Sequence, residues 1–467
     1  MKTFPIALLC AAALPATAGA QPRSLDPVAA LRQVAALRDA ALTDDVAYAI
    51  TEGLTTEVGQ RLAGTDAEAR ARDWGVARLK ALGFRNVHIE TYDMPVWVRG
   101  EERGEILSPF PQKLSLTALG NSGATPPAGL DAEIVAFPSI EALRAADPAA
   151  VRGRIVYLTH AMLPTQDGSS YGASGIVRRQ GPTVASQKGA AAIVIRSIGT
   201  DHHRTPHTGV QMFADGAAPI PAAALSIPDA EQLDRILKRG RPVRMRLLLT
   251  PRQTGMRQSG NVVAEVPGRD PKAGIVVVGG HLDSWDLGTG AIDDATGIAI
   301  TTAAAKRVMD AGRPLRTIRV VWFGAEEVGA FGGIAYAKAH AGEKHVLMAE
   351  SDFGADRVWK FDTKVAPGAL PVMDRIATAL APLGIARGDN LASGGSDITP
   401  LAATGIPIVS LRQDGTRYFD LHHTPDDTLD KVDPIQLRQN VAAWTTMLAV
   451  VANDPTELGP VEKGGAE

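Results

Sequence analysis

Between residues 275 and 423 the chain repeats one pattern: a short apolar run rich in valine and isoleucine ends on acidic or histidine residues and gives way to a stretch with helical spacing. AGIVVVGG leads into His281 and Asp283, and Asp293 and Asp294 follow in GAIDDATG. TIRVVWFGA leads into Glu326 and Glu327, HVLMAES into Asp352, and Asp420, His422 and His423 come last. The helical stretches are 295–311, 334–341 and 370–383. Strands buried on both faces read as continuous β-branched runs, and strand alternating with helix builds a mostly parallel layer. The pattern therefore predicts the α/β class, with a mostly parallel, mixed, twisted sheet covered by helices on both faces. Ligand sites in such sheets lie in the crevice beyond the strands' carboxyl ends. Residues far apart in sequence then converge on one site.

A length of 467 residues with 45% hydrophobic side chains implies two or three domains with ample cores. A net charge of −3, from 48 basic and 51 acidic residues, gives no field to attract nucleic acid or an anionic membrane. Residues 1–20 read as a signal peptide: Lys2, an apolar stretch to Leu14, and Ala18-Gly19-Ala20 before Gln21. No later segment approaches about 18 consecutive apolar residues, so no membrane anchor is expected once the signal is cleaved. Cys10 is the only cysteine and lies within that segment. A mature chain starting at Gln21 has neither a disulfide nor a cysteine nucleophile. The expected location is a bacterial periplasm or the medium.

The organisation expected is a catalytic domain interrupted by a smaller β-rich one. Residues 21–118 form the first part, with helices at 26–45 and 65–82 and a strand at 86–92. GNSGATPPAGL, rich in turn formers, marks a boundary. Residues 119–252 form the insert, with strands at 132–137, 154–159, 190–195, 222–225 and 243–249 and helices at 181–188 and 229–238. Residues 253–467 carry the motifs.

Without thiolates, imidazole and carboxylate are the ligands divalent zinc takes, and two-metal hydrolases hold their ions about 3.5–4 Å apart with a carboxylate between them. Asp283, two residues beyond His281, suits a supporting role, fixing the imidazole's tautomer. Asp293, on a glycine-rich turn before a helix, suits a bridge between ions. In Glu326-Glu327 the adjacent side chains diverge, so one binds metal while the other takes a proton from metal-activated water.

The strings GGHLDSWDLGTGAIDDATG, WFGAEEVGAFGG, AESDFG, GGSDITPL and HHTPDDTLDKV resemble, in order and spacing, the co-catalytic di-zinc aminopeptidase family, and within it the carboxypeptidase Q branch. The inserted region, with PHTG at 206–209, is similar to that branch's protease-associated domain. The resemblance implies two zinc ions. One is held by His281, Asp293 and Asp352; the other by Asp293, Glu327 and His423, the histidine directly before Thr-Pro. It makes Glu326 the general base, supported by Asp283, and implies a cis peptide between Asp293 and Asp294. It further implies an exopeptidase for dipeptides or short peptides with a free N-terminus, working as a homodimer. Asp397, His207 and Tyr418 are candidate substrate contacts. His202, His203 and His207 read as solvated loop histidines and are not expected to bind a third metal. Two rival readings share the scaffold: a receptor-like protein without activity, which a full ligand set argues against, and a cyclase of N-terminal glutamine.

Overall fold

The computed structural model describes Met1 and residues 27–463, so the expected signal peptide at 1–20, Met1 apart, lies outside the described residues. The main sheet has eight strands in the order Arg85–Val98, Arg252–Val266, Thr317–Phe323, Ile275–His281, His345–Glu350, Ile408–Gln413, Val358–Lys364 and Ala386–Arg387. Four of its seven neighbouring pairs are parallel, among them every pair at the centre, and antiparallel strands flank them. The sheet is mixed with a parallel middle.

Alternation along the central strands divides the core between two faces. Val276, Val278, Val320, Trp322 and Leu347 pack with Ile300, Trp444 and Leu448 of helices Thr296–Asp310 and Pro434–Val451. Val277, Val321, Phe323 and Met348 face the other way, against Tyr336 of helix Phe331–Ala339 and Leu401. Each central strand is therefore apolar on both sides, which is why these segments carry no polar alternation.

A second eight-stranded sheet is drawn from residues 102–249, in the order Gln112–Leu114, Glu102–Ser108, Arg244–Leu249, Leu130–Phe137, Ile155–Leu158, Ala192–Arg196, Ala222–Leu225 and Leu116–Ala118. It interrupts the main sheet between Arg85–Val98 and Arg252–Val266, which pair antiparallel from Arg85↔Glu265 to Val98↔Arg252. The insert thus spans about 99–251 rather than 119–252. The expected boundary at 119 falls inside the second sheet because the Gly/Pro-rich segment is a loop within it, with Gly120 bridged to Val210. The true junction carries one glycine, Gly100, where a Cβ would collide with the Thr250 carbonyl of the returning strand. With eight strands and the helices Ser169–Gln187 and Ile227–Leu237, the insert matches the main sheet in strand number.

Other differences are local. The helix expected over 26–45 ends at Ala41, and a new one, Val46–Gly53, starts where the Asp44 carboxylate accepts the Val46 N–H at 2.7 Å. Helix 181–188 begins earlier, at Ser169, and runs through Pro182. The strand at 86–92 extends to Val98. Among the described residues no helix is long and apolar enough to cross a membrane.

His345, at the amino end of a central strand, is buried beside the Tyr336 hydroxyl at 3.3 Å. Burial lowers its pKa from 6.5 to about 4, against the pull of Glu343. The folded state thus binds this proton more weakly than the unfolded chain, so the group's contribution is complete above pH 6.5 and fades as pH falls toward 4. Over that interval it amounts to at most about 3 kcal/mol. Thermal unfolding of metal-free protein at pH 7 and pH 4.5 checks this: His345→Gln should lose less stability between the two than wild type.

Candidate metal centre

The parallel strands deliver their carboxyl ends to one crevice. His281 is the last residue of its strand, Glu326 and Glu327 follow Phe323, and Asp352 follows Glu350. Asp293 and Asp294 stand at the start of helix Thr296–Asp310, joined by a cis peptide. Gly280 allows this approach: a Cβ there would lie 2.7 Å from the Ser351 carbonyl and nearer still to the Asp294 carboxylate. His423 arrives from the loop after Tyr418–Leu421.

The two histidines are oriented alike. His281 Nδ1 donates to the Asp283 carbonyl at 2.9 Å, and His423 Nδ1 donates to the Thr208 carbonyl at 3.2 Å. Both Nε2 atoms are left facing carboxylates. His281 Nε2 lies 3.0 Å from Asp293 Oδ1 and 3.4 Å from Asp352 Oδ1. His423 Nε2 lies 2.9 Å from Glu327 Oε2 and 3.3 Å from Asp293 Oδ2. Asp293 therefore offers one oxygen to each imidazole, the geometry of a bridging ligand. Glu327 Oε1 and Asp293 Oδ2 are buried without a hydrogen-bond partner. Lone pairs converging on lone pairs, dry and unpaired, fit a divalent cation. His281, Asp293 and Glu327 present ligand atoms within 4.8 Å of one another, as do Asp293, His422 and His423, and His281, Asp294 and Asp352.

The electrostatics agree. Burial pushes the Glu326 carboxyl well above its ordinary value; His281 opposes this, and the charges of Asp352, Glu327 and Asp283 add to it. Burial and Asp352 push Glu350 up to about 8, and burial and Asp293 push Asp427 up to about 7. Burial disfavours the charged form of His281, yet Asp352, Asp283 and Asp293 hold its pKa well above the usual range. Such crowding of like charge is what a bound dication relieves.

Of the two tasks expected of the Asp283 side chain, fixing His281 and supporting Glu326, it is placed for the second. The tautomer of His281 is fixed by the Asp283 backbone carbonyl, and the Asp283 carboxylate is 3.7 Å from the ring. Its two oxygens instead accept the N–H groups of Glu326, at 3.0 Å, and Glu327, at 3.3 Å. Ala325, with φ of +57°, turns the chain so that both N–H groups point there.

The other sequence candidates divide. Glu326 is half-buried, exposed enough to meet a substrate. Tyr418 is buried in an aromatic group with Phe353 and Phe419, its ring centroid 5.1 Å from that of His422. Asp397 is buried with both carboxylate oxygens unpartnered, and its backbone N–H donates to Glu350. His207 is not open to a substrate: its ring is fully buried, with Nδ1 on the His422 carbonyl at 2.7 Å and Nε2 on Asp201 at 3.0 Å. His422 stacks on His423, ring centroids 3.5 Å apart, and its Nε2 is 3.6 Å from Asp293.

Two positioning residues, Arg61 and Asp427, escaped the sequence reading, and a third, Asp294, was named there without its task. Arg61, fully buried, donates to the carbonyls of Leu282 at 2.5 Å, Thr289 at 2.6 Å and Gly290 at 2.7 Å, pinning both ends of the loop after His281. Asp427 accepts the N–H groups of Ile292 at 2.6 Å and Asp293 at 3.3 Å. Asp294 accepts those of His281 at 3.1 Å and Gly297 at 3.0 Å. An isolated arginine in a loop carries no pattern; Asp427 sits in the HTPDDT string without a sign of its partner.

Residues 261–448 match the model described as "Peptidase family M28". The chain is 34% identical to carboxypeptidase Q of Bos taurus over 403 residues, 86% of this chain and 84% of that one. It belongs to peptidase family M28. A solved structure of a peptidase M28 precursor from Shewanella amazonensis is similar to this M28 peptidase, with 46% identity, a TM-score of 0.91, and coverage of 93% of this chain and 99% of the other. BSAP, a zinc aminopeptidase from Bacillus subtilis, shares the fold at 19% identity and a TM-score of 0.63, over 90% of this chain and 98% of its own. Family and donor set together make the protein a zinc metallopeptidase.

Asp283→Asn keeps the size of the side chain but offers only one acceptor to two N–H groups. It should lower kcat/KM by about 10–100-fold, as loss of a ligand's support does, with the fold retained; steady-state kinetics beside circular dichroism measures this.

Proposed function

We propose that this M28 peptidase is an exported di-zinc exopeptidase that hydrolyses dipeptides and short peptides with a free N-terminus, acting as a homodimer. The observation that carries the di-metal reading is the division of Asp293: one oxygen toward His281, the other toward His423, with Asp352 and Glu327 completing the two sets. When bound, a pair of zinc ions polarises the scissile carbonyl and acidifies water. Glu326 takes a proton from the attacking water as its oxygen bonds to the carbonyl carbon. It gives that proton to the amide nitrogen as the C–N bond breaks, leaving a carboxylic acid and an amine, which ionise to carboxylate and ammonium. Asp283 holds the Glu326 backbone during both transfers.

The surroundings support small substrates. A small cleft is lined by Trp97, Val210, Met212, Trp285 and Phe331 and by Val328, next to the Glu327 ligand. No charged side chain lines it, which suits an apolar substrate side chain. The named activity of the carboxypeptidase Q relatives supports removal of terminal residues.

Metal content, together with hydrolysis of a dipeptide panel and the same peptides with either end blocked, tests this reading. Close to two zinc ions per chain are expected, with cleavage of free-amino peptides and a loss of at least about 100-fold in kcat for Glu326→Gln. Zinc-loaded protein that cleaves none of the peptides would overturn it.

A further inference from the structure

His423 is the proposed ligand whose backbone is forced. Its φ is +62°, the left-handed region that a residue with a side chain seldom adopts unless its surroundings enforce it. The other non-glycine residues with positive φ among those described are Asn86, Asn121, Ala325 and Ala330, none of them a proposed ligand.

What enforces it comes from the insert. Residues 197–208 run along the segment that leads to His423. Thr200 donates its backbone N–H to the Phe419 carbonyl at 3.1 Å and its hydroxyl to Asp420 at 2.7 Å. His207 Nδ1 donates to the His422 carbonyl at 2.7 Å. Thr208 then grips His423 from both sides: its N–H donates to the His423 carbonyl at 3.1 Å, and its carbonyl accepts His423 Nδ1 at 3.2 Å. The first bond holds the strained backbone. The second places the proton on Nδ1 and leaves the Nε2 lone pair for a metal.

The grip is itself braced within the insert. His207 and Thr208 are each 1% exposed. Asp201 accepts His207 Nε2 at 3.0 Å, and the Ser197 hydroxyl accepts the His207 backbone N–H at 2.9 Å. Arg178 donates to the Thr208 carbonyl at 3.2 Å.

We infer that the 197–208 loop is a positioning element of the metal centre: the insert fixes the backbone and tautomer of His423, with the Asp201–His207 pair as the brace, so that half of the centre depends on a docked insert. This rests on the assignment of His423 as a ligand. Neither Asp201 nor His207 touches substrate; they act through Thr208 and His422.

The full-length chain tests it with His207→Ala, His207→Gln, Asp201→Asn and, as a control, His423→Ala. Three readouts are zinc affinity by chelator competition, thermal midpoints with and without saturating zinc, and kcat and KM on a cleaved dipeptide. A positioning role predicts about tenfold weaker binding of one of two zinc ions in His207→Ala and Asp201→Asn. It also predicts a smaller zinc-induced rise in midpoint and a fall in kcat with KM changed less than twofold. His207→Gln, whose amide nitrogen takes the place of Nε2 and keeps the donor to Asp201, should recover part of each. The inference is overturned if both variants retain wild-type zinc affinity and their midpoints drop equally with and without zinc, the signature of an ordinary packing contact. If His207→Ala does not fold, Asp201→Asn and His207→Gln decide by the same criteria. Wild-type zinc affinity in His423→Ala would overturn the ligand assignment on which the inference stands; it is distinguishable because failure of the inference alone leaves zinc binding weakened in His423→Ala while the insert variants bind as wild type.

Discussion

The structure is organised around an unfavourable quantity: negative charge gathered in a dry place. Asp283, Asp293, Asp294, Glu327, Asp397 and Asp427 are all buried, and Glu326, Glu350 and Asp352 stand close by. Carboxylates brought together away from water repel one another and lose hydration. A fold that assembles them must offset both effects with backbone dipoles and cations. The two imidazoles alone do not suffice, as the raised pKa values of Glu350 and Asp427 attest.

Main-chain N–H groups do much of the offsetting. Asp283 receives two, Asp294 two, Asp427 two, and Glu350 those of Asp397 and Ile398. Each pair ties one segment of the site to another, so electrostatic relief and geometric alignment come from the same bonds. Arg61 adds the opposite device, a buried cation whose donors collect carbonyls of the loop that the ligands bracket. The alignment that lets Asp293 face two histidines is thus set by these main-chain bonds, which tie Asp294 to His281 and Asp427 to Asp293.

Much of this was legible in the chain. The β-branched runs revealed the central strands because burial on both faces leaves no room for polar alternation, and residues after those runs had to fall at one sheet edge. His281, Asp293, Glu327, Asp352 and His423 do converge there. One of the two tasks read for Asp283 was misjudged: sequence proximity to His281 suggested side-chain contact, while the backbone carbonyl took that place. His207 was read as a substrate contact but is sealed between Asp201 and the His422 carbonyl. The domain boundary was misplaced because Gly/Pro density marks turns, and the real junction is two extended strands passing side by side. Long-range bonds from Arg61, Thr208 and Asp427 leave no periodicity or motif to read.

That junction bears on how the chain assembles. Val98 and Arg252 are register partners in the main sheet, yet everything in the second sheet lies between them. Closing a disordered loop of about 150 residues costs about 3 kcal/mol more than closing one of about five. An insert that has already folded holds its two ends as neighbours and removes that difference. An insert that folds before those two strands pair serves as a template for the edge of the sheet that encloses it.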